Sequence, residues 1–257
     1  MSVLSTRKAR TLQLGESRQS IFRSGFNSAT QSGDLIWTPT GAYTGFLTAA
    51  VVMEAVSGSG NDTAAGSGAR TIRIEGLDEN WDFATEDITM AGASASSDTT
   101  TKFIRVFRAY VLTAGSGGVN AGVITIRGGS GSPNVASIAA SRGESQMALF
   151  TTPRYYQAFI TKAFARATLG SGSSSSSNIA LVYRSRADLT TSPLRTITEV
   201  DSIDAQGYLV DLDDTVRVGE KTDIYWLGTA DADTGDPVTA NFWLDLVRLK
   251  RGSKISD

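Results

Sequence analysis

The 257 residues carry 24 Lys and Arg against 26 Asp and Glu, are 40% hydrophobic, and include neither Cys nor His. That is enough apolar material for a real core, and a formal charge of −2 supplies no overall cationic field to gather nucleic acid or an anionic membrane. Without Cys and His there are no disulfides, no Cys or His metal centres, and no Ser/His/Asp or Cys/His nucleophilic sites.

Residues 1–34 differ from the rest. Arg7, Lys8, Arg10, Arg18 and Arg23 stand against Glu16 and Asp34, and apolar residues are too sparse for a core. This reads as an extended arm that anchors on a neighbouring subunit or an anionic partner, although a disordered tail has the same composition. The first twenty residues lack the apolar run of a signal peptide, and FLTAAVVM (46–53) is too short to span a bilayer. The default expectation is therefore synthesis as a soluble protein in a cytoplasm.

From Leu35 onward, short alternating runs such as Ile72/Ile74, Ile124/Ile126, Ile179/Leu181/Tyr183, Val216/Val218, Ile224/Trp226 and Phe242/Leu244/Leu246 are divided by turn clusters rich in Gly, Ser, Asn and Asp. Many short strands at even spacing predict an all-β body over 35–257, a β-sandwich or jelly roll, with a division into two sub-sandwiches near 130–150. One segment has the other period. In PRYYQAFITKAFARATL, Tyr156, Phe159, Ile160, Ala163, Phe164 and Ala167 recur at helical spacing behind Pro153. The stretch GSGSSSSSN at 170–178 reads as a surface loop.

The glycine-rich stretch SGSGNDTAAGSGARTIRIEGLD (57–78) has no Lys and leads into a strand, so it reads as a hairpin tip and not a phosphate cradle. Asp231, Asp233 and Asp236 begin like a calcium loop, but Gly235 replaces an oxygen ligand and no Glu occupies the twelfth position. Asp211, Asp213 and Asp214 are similar, and solvated turns are the favoured reading of both. Glu75, Asp78, Glu79, Asp82, Glu86 and Asp87 are dense enough to supply the carboxylate pair of a glycosidase, yet exposed turns have the same composition. Trp37, Trp81, Tyr155, Tyr156, Trp226 and Trp243 are candidates for stacking on sugars. Trp226 and Trp243, inside strands, are expected in the core; Trp81, in a turn, is the candidate receptor contact. FIRVFRAYVL (103–112) is apolar on both faces and carries Arg105 and Arg108, a pattern that fits a subunit interface or an edge strand with snorkelling arginines.

VSGSGNDTAAGSGARTI (56–72), EGLD (75–78), TKFIRVFR (101–108) and AGSGGVNAGVI (114–124) together resemble a group of structural proteins of tailed bacteriophages, many of them aquatic. That group typically runs NDT-x-x-G-x-G-A hairpin, GLD turn, LRV-x-R strand and AG-rich hairpin. MALFTTP (147–153) is similar to its next element, a strand ending in a Thr-x-Pro turn before another strand. The resemblance covers about residues 36–153 closely and the residues after them only in general character, and it does not cover the arm before residue 34. It implies a non-enzymatic virion component and an extended conformation after Pro153. It brings no catalytic residues, metal or cofactor. Other virion proteins are the expected partners, in a homo-oligomer with a trimer favoured, without nucleic acid or membrane. The alternative expectation is a host-receptor or glycan-binding module of a fibre.

Overall fold

A computed structural model describes residues 18–39, 41–167, 177–189, 192–203, 207–229 and 237–249. The described residues form fourteen strands and no helix: β1 (Arg18–Asn27), β2 (Met53–Ser57), β3 (Ala69–Asp78), β4 (Phe83–Thr89), β5 (Phe103–Ala114), β6 (Ile124–Gly128), β7 (Asn134–Ile138), β8 (Leu149–Thr151), β9 (Tyr156–Ala167), β10 (Ser177–Arg184), β11 (Leu194–Ile203), β12 (Tyr208–Val218), β13 (Asp223–Gly228) and β14 (Val238–Arg248). Each run of alternating residues singled out in the sequence lies in one of them. The fold is all-β, with several antiparallel sheets consistent with a β-sandwich.

Among the described residues β2 to β7 build two sheets, and β8 to β14, joined by β1, build two more. β2–β6–β7 and β4–β3–β5 are three-stranded; β11–β10–β13–β8 and β1–β14–β9–β12 are four-stranded. In β3, Ile72 and Ile74 point inward while Thr71, Arg73 and Glu75 stay partly exposed, the period-two pattern of a strand with one buried face. In β5 every residue from Phe103 to Phe107 is buried, because both faces of that strand are covered. Trp226 of β13 is fully buried and its Nε1–H donates to the Asn241 carbonyl of β14 at 3.0 Å, tying the two four-stranded sheets together. One continuous apolar core runs through all four sheets.

The helical spacing after Pro153 has a specific origin. β9 pairs with β14 on one side and β12 on the other, and its register with β14 skips between Lys162 opposite Trp243 and Ile160 opposite Leu244. Thr161 is the extra residue. Such a bulge shifts the phase of the alternation, so Ala158 and Ile160 on one side of it and Ala163, Ala165 and Ala167 on the other all face the core. The resulting three-residue step from Ile160 to Ala163 imitates a helix.

The arm boundary near residue 34 does not coincide with a structural break. β1 runs the length of β14, from Arg18 opposite Val247 to Asn27 opposite Val238, and buries Ile21. Leu35, Ile36 and Trp37 are buried in turn, with the Ile36 amide donating to the Trp226 carbonyl at 3.1 Å. Arg18 and Arg23 therefore belong to the body, while Arg7, Lys8 and Arg10 lie outside the described residues.

Candidate functional site

The glycine-rich stretch is a hairpin tip, and its centre is Asp62. That carboxylate is fully buried and accepts hydrogen bonds from the Ser57 hydroxyl at 2.5 Å and from the amides of Ala69 at 2.7 Å, Ala121 at 2.8 Å and Gly122 at 2.9 Å. Burial alone would raise its pKa; the Ser57, Ala121, Gly122 and Ala69 hydrogen bonds outweigh burial and hold it below the usual carboxylate range. Two tips, 58–68 and 115–122, thereby lock into each other. A Cβ on Gly68 would fall 2.1 Å from the Asp62 Oδ1, and one on Gly115 would fall 2.2 Å from the Gly66 carbonyl oxygen, so both positions require glycine. Amides that a phosphate would need are already given to Asp62.

The acidic cluster is similarly engaged. Asp78 accepts from the amides of Asn80 and Asp82 within its own turn, at 2.8 and 3.0 Å. Asp82 pairs with Arg154 at 2.8 Å, Asp87 takes the Arg73 guanidinium through both oxygens at 2.6 and 2.9 Å, and Glu75 lies 3.3 Å from Arg108. Glu86 accepts from the amides of Thr100 and Thr101, which overcome the raising effect of burial and lower its pKa; the Arg73 hydrogen bond lowers that of Asp87. A glycosidase's general acid needs its pKa raised. Neither residue is poised that way.

Two expectations are overturned. Trp81, read as a contact residue, is only 7% exposed; its backbone has φ 65°, and its ring lies beneath the Arg105 guanidinium at 5.1 Å and the Lys221 ammonium at 5.6 Å. Arg105, read as an interface residue, is 2% exposed and makes a bidentate pair within the chain, Nε to Asp223 Oδ1 at 2.9 Å and Nη2 to Oδ2 at 3.0 Å. Its Nη1 donates to the Leu47 and Ile104 carbonyls, and Thr151 donates to Asp223 at 2.7 Å. This buried pair joins β5 to β13 and so joins the two halves of the chain. Arg18 forms an ion pair with Asp245. Among the aromatics, Trp37 is buried, whereas Trp243 is only partly buried and packs on Phe22 with ring centroids 4.9 Å apart.

Arg23 and Arg108 are brought together. They line a cleft of about 530 Å³ between β1, β5 and the 142–147 segment, with Phe22, Phe107, Arg142 and Glu144 among the other walls. Arg108 bridges Glu144 at 2.6 Å and Glu75 at 3.3 Å. Arg23 lies over the rings of Phe107 and Phe150, 5.1 and 5.4 Å from their centroids, and donates through Nη1 to the Phe22 carbonyl at 2.9 Å. Its Nε is buried without a partner. Burial lowers its pKa to about 10 against the opposing pull of Glu75 and Glu144. Arg142, exposed at the rim, had no distinguishing signal in the sequence beyond its charge.

Among the described residues no group of His, Cys, Asp and Glu side chains converges on a metal position, and no helix is long and apolar enough to cross a membrane. The calcium-loop candidates Asp231, Asp233 and Asp236 lie outside the described residues, as does most of the Ser-rich loop. Asp211 sits exposed on the edge strand β12, opposite Lys162.

No protein-family model and no curated protein matches the chain. Weak similarity to solved structures extends over most of its length. An isomalto-dextranase of Arthrobacter globiformis T6, complexed with panose, aligns over 89% of this chain and 34% of its own at 10% identity and a TM-score of 0.24. The structure of infectious bursal disease virus Gt strain aligns over 92% and 80% at 8% identity and a TM-score of 0.19. The D431N mutant VP2 protein of that virus, from T=1 particles, aligns over 92% and 79% at 6% identity and a TM-score of 0.13. The chain spans about a third of the length of the first of these.

Proposed function

We propose that the chain is a non-catalytic structural component of a tailed-bacteriophage particle, assembled as a homo-oligomer and anchored to other virion proteins through the basic segment that contains Arg7, Lys8 and Arg10. One observation carries this reading. The block that resembles phage structural proteins builds a self-contained lock, in which the Asp of the NDT motif binds the Ala that ends G-x-G-A and the Ala-Gly of the AG-rich motif. The motif thus maintains a shape, its buried Asp62 carboxylate being fully engaged by donors of the same block, which supports a structural role. The densest carboxylates are engaged in ion pairs and turns, which also supports a non-catalytic role. A particle component repeated by symmetry needs this kind of rigid body with a separate attachment segment.

The test is incorporation. In particles assembled with a chain lacking residues 1–17, quantitative mass spectrometry should find the protein depleted, while the purified truncated chain keeps its β-rich circular dichroism. Normal copy number in those particles would remove the anchoring role; absence of the full-length chain from purified particles would remove the structural reading itself.

A further inference from the structure

The cleft lined by Arg23 has an unfilled electrostatic requirement. At two other positions the Nε and Nη2 edge of an arginine holds a carboxylate, Arg73 taking Asp87 and Arg105 taking Asp223, whereas Arg154 and Arg184 share with Arg23 a buried Nε without a partner. On Arg23 that edge has no partner, Nε being buried without an acceptor and Nη2 making no hydrogen bond among the described residues. Such an orphaned, charge-bearing donor is costly unless something meets it. Arg142 stands at the rim and forms no ion pair among the described residues.

We propose that this cleft binds a single carboxylate group carried on a body with an apolar face, received by Arg23 and guided by Arg142. The charges set the class. Arg23, Arg108 and Arg142 face Glu144 and the Glu75 that Arg108 holds, which leaves one net positive charge. A monoanionic, planar carboxylate matches that charge and the fork of a guanidinium. A phosphate dianion would meet the field of two glutamates. Phe107 and Met147 supply the apolar lining, and the volume lies within the range of small-ligand pockets. Arg23 reaches the incoming group by rotation of its outer torsions, which carries the guanidinium away from its place over Phe107 and Phe150. Residues 1–17 of the chain itself are poor occupants, since Arg7, Lys8 and Arg10 outnumber Glu16. The carboxylate comes either from an acidic side chain of another polypeptide or from a free acid such as a sugar acid.

Isothermal titration calorimetry on the full-length protein tests this with three probes: N-acetyl-Phe-Glu-amide, D-glucuronate and inorganic phosphate. At least one carboxylate should bind saturably, phosphate at least about tenfold more weakly, and the Phe-Gln analogue of the peptide likewise. Binding of the peptide alone assigns the group to a polypeptide; equal binding of glucuronate assigns it to a free acid. Arg23→Met, which removes the guanidinium but keeps an unbranched side chain, should abolish the heat. Arg142→Gln, at an exposed position, should weaken binding several-fold. Phosphate binding as tight as carboxylate, no saturable binding of either carboxylate, or unchanged affinity in Arg142→Gln overturns the proposal, the last even if Arg23→Met fails to fold.

Discussion

Asp62 and Asp223 are the two buried carboxylates on which most hydrogen bonds converge, and they fail differently when changed. Asp62→Asn replaces one of two oxygens, each accepting from two donors, by an NH2 that opposes its pair, so it should lower stability by about 2–4 kcal/mol, read as a shifted urea midpoint. Asp223→Asn leaves the Arg105 guanidinium buried without its counter-ion and should cost about 3–5 kcal/mol, whereas the double variant Arg105→Met with Asp223→Leu should recover much of that loss. The sequence marked Arg105, Arg108, Arg23 and Trp81 as notable but misjudged two of them. Trp81 sits among Asp78, Glu79, Asn80 and Asp82, a composition that reports an exposed backbone turn; the positive φ at Trp81 turns its ring inward, and local composition carries no record of that. Arg23 and Arg108 meet across strands far apart in the chain, a proximity that only the pairing of β1 with β14 and the packing of β5 create.

At the level of elements, the alternation of apolar residues made most strands legible, since one buried face imposes a period of two. β9 was the exception, because the bulge at Thr161 changes the phase in mid-strand. β1 was illegible for another reason: its apolar residues are few, and it is held by the backbone ladder with β14. Truncation separates the roles of these residues. Removing 1–17 should leave the urea midpoint of the purified protein unchanged. Removing 1–33 strips β1 from β14, uncovers Phe242 and Leu244, and should yield aggregated or strongly destabilised protein, checked by size-exclusion chromatography and thermal denaturation.

For the whole molecule, pH acts through the carboxylates whose pKa values the fold depresses: Asp62, Glu86, Asp87 and Asp188. The unfolded chain takes up protons at the ordinary carboxylate pKa near ~4, before the folded chain does, so stability is fully present above that pH and drains away as the pH falls through the lower folded values. Urea midpoints measured from pH 6 downward should hold level and then fall below about pH 4. The division into three-stranded and four-stranded pairs of sheets has the look of two modules in tandem, but Arg105 to Asp223, Arg154 to Asp82 and the shared apolar core run across the boundary. A protease that nicked the chain between β7 and β8 would therefore release nothing: the two fragments would travel as one body until a denaturant broke the buried pair.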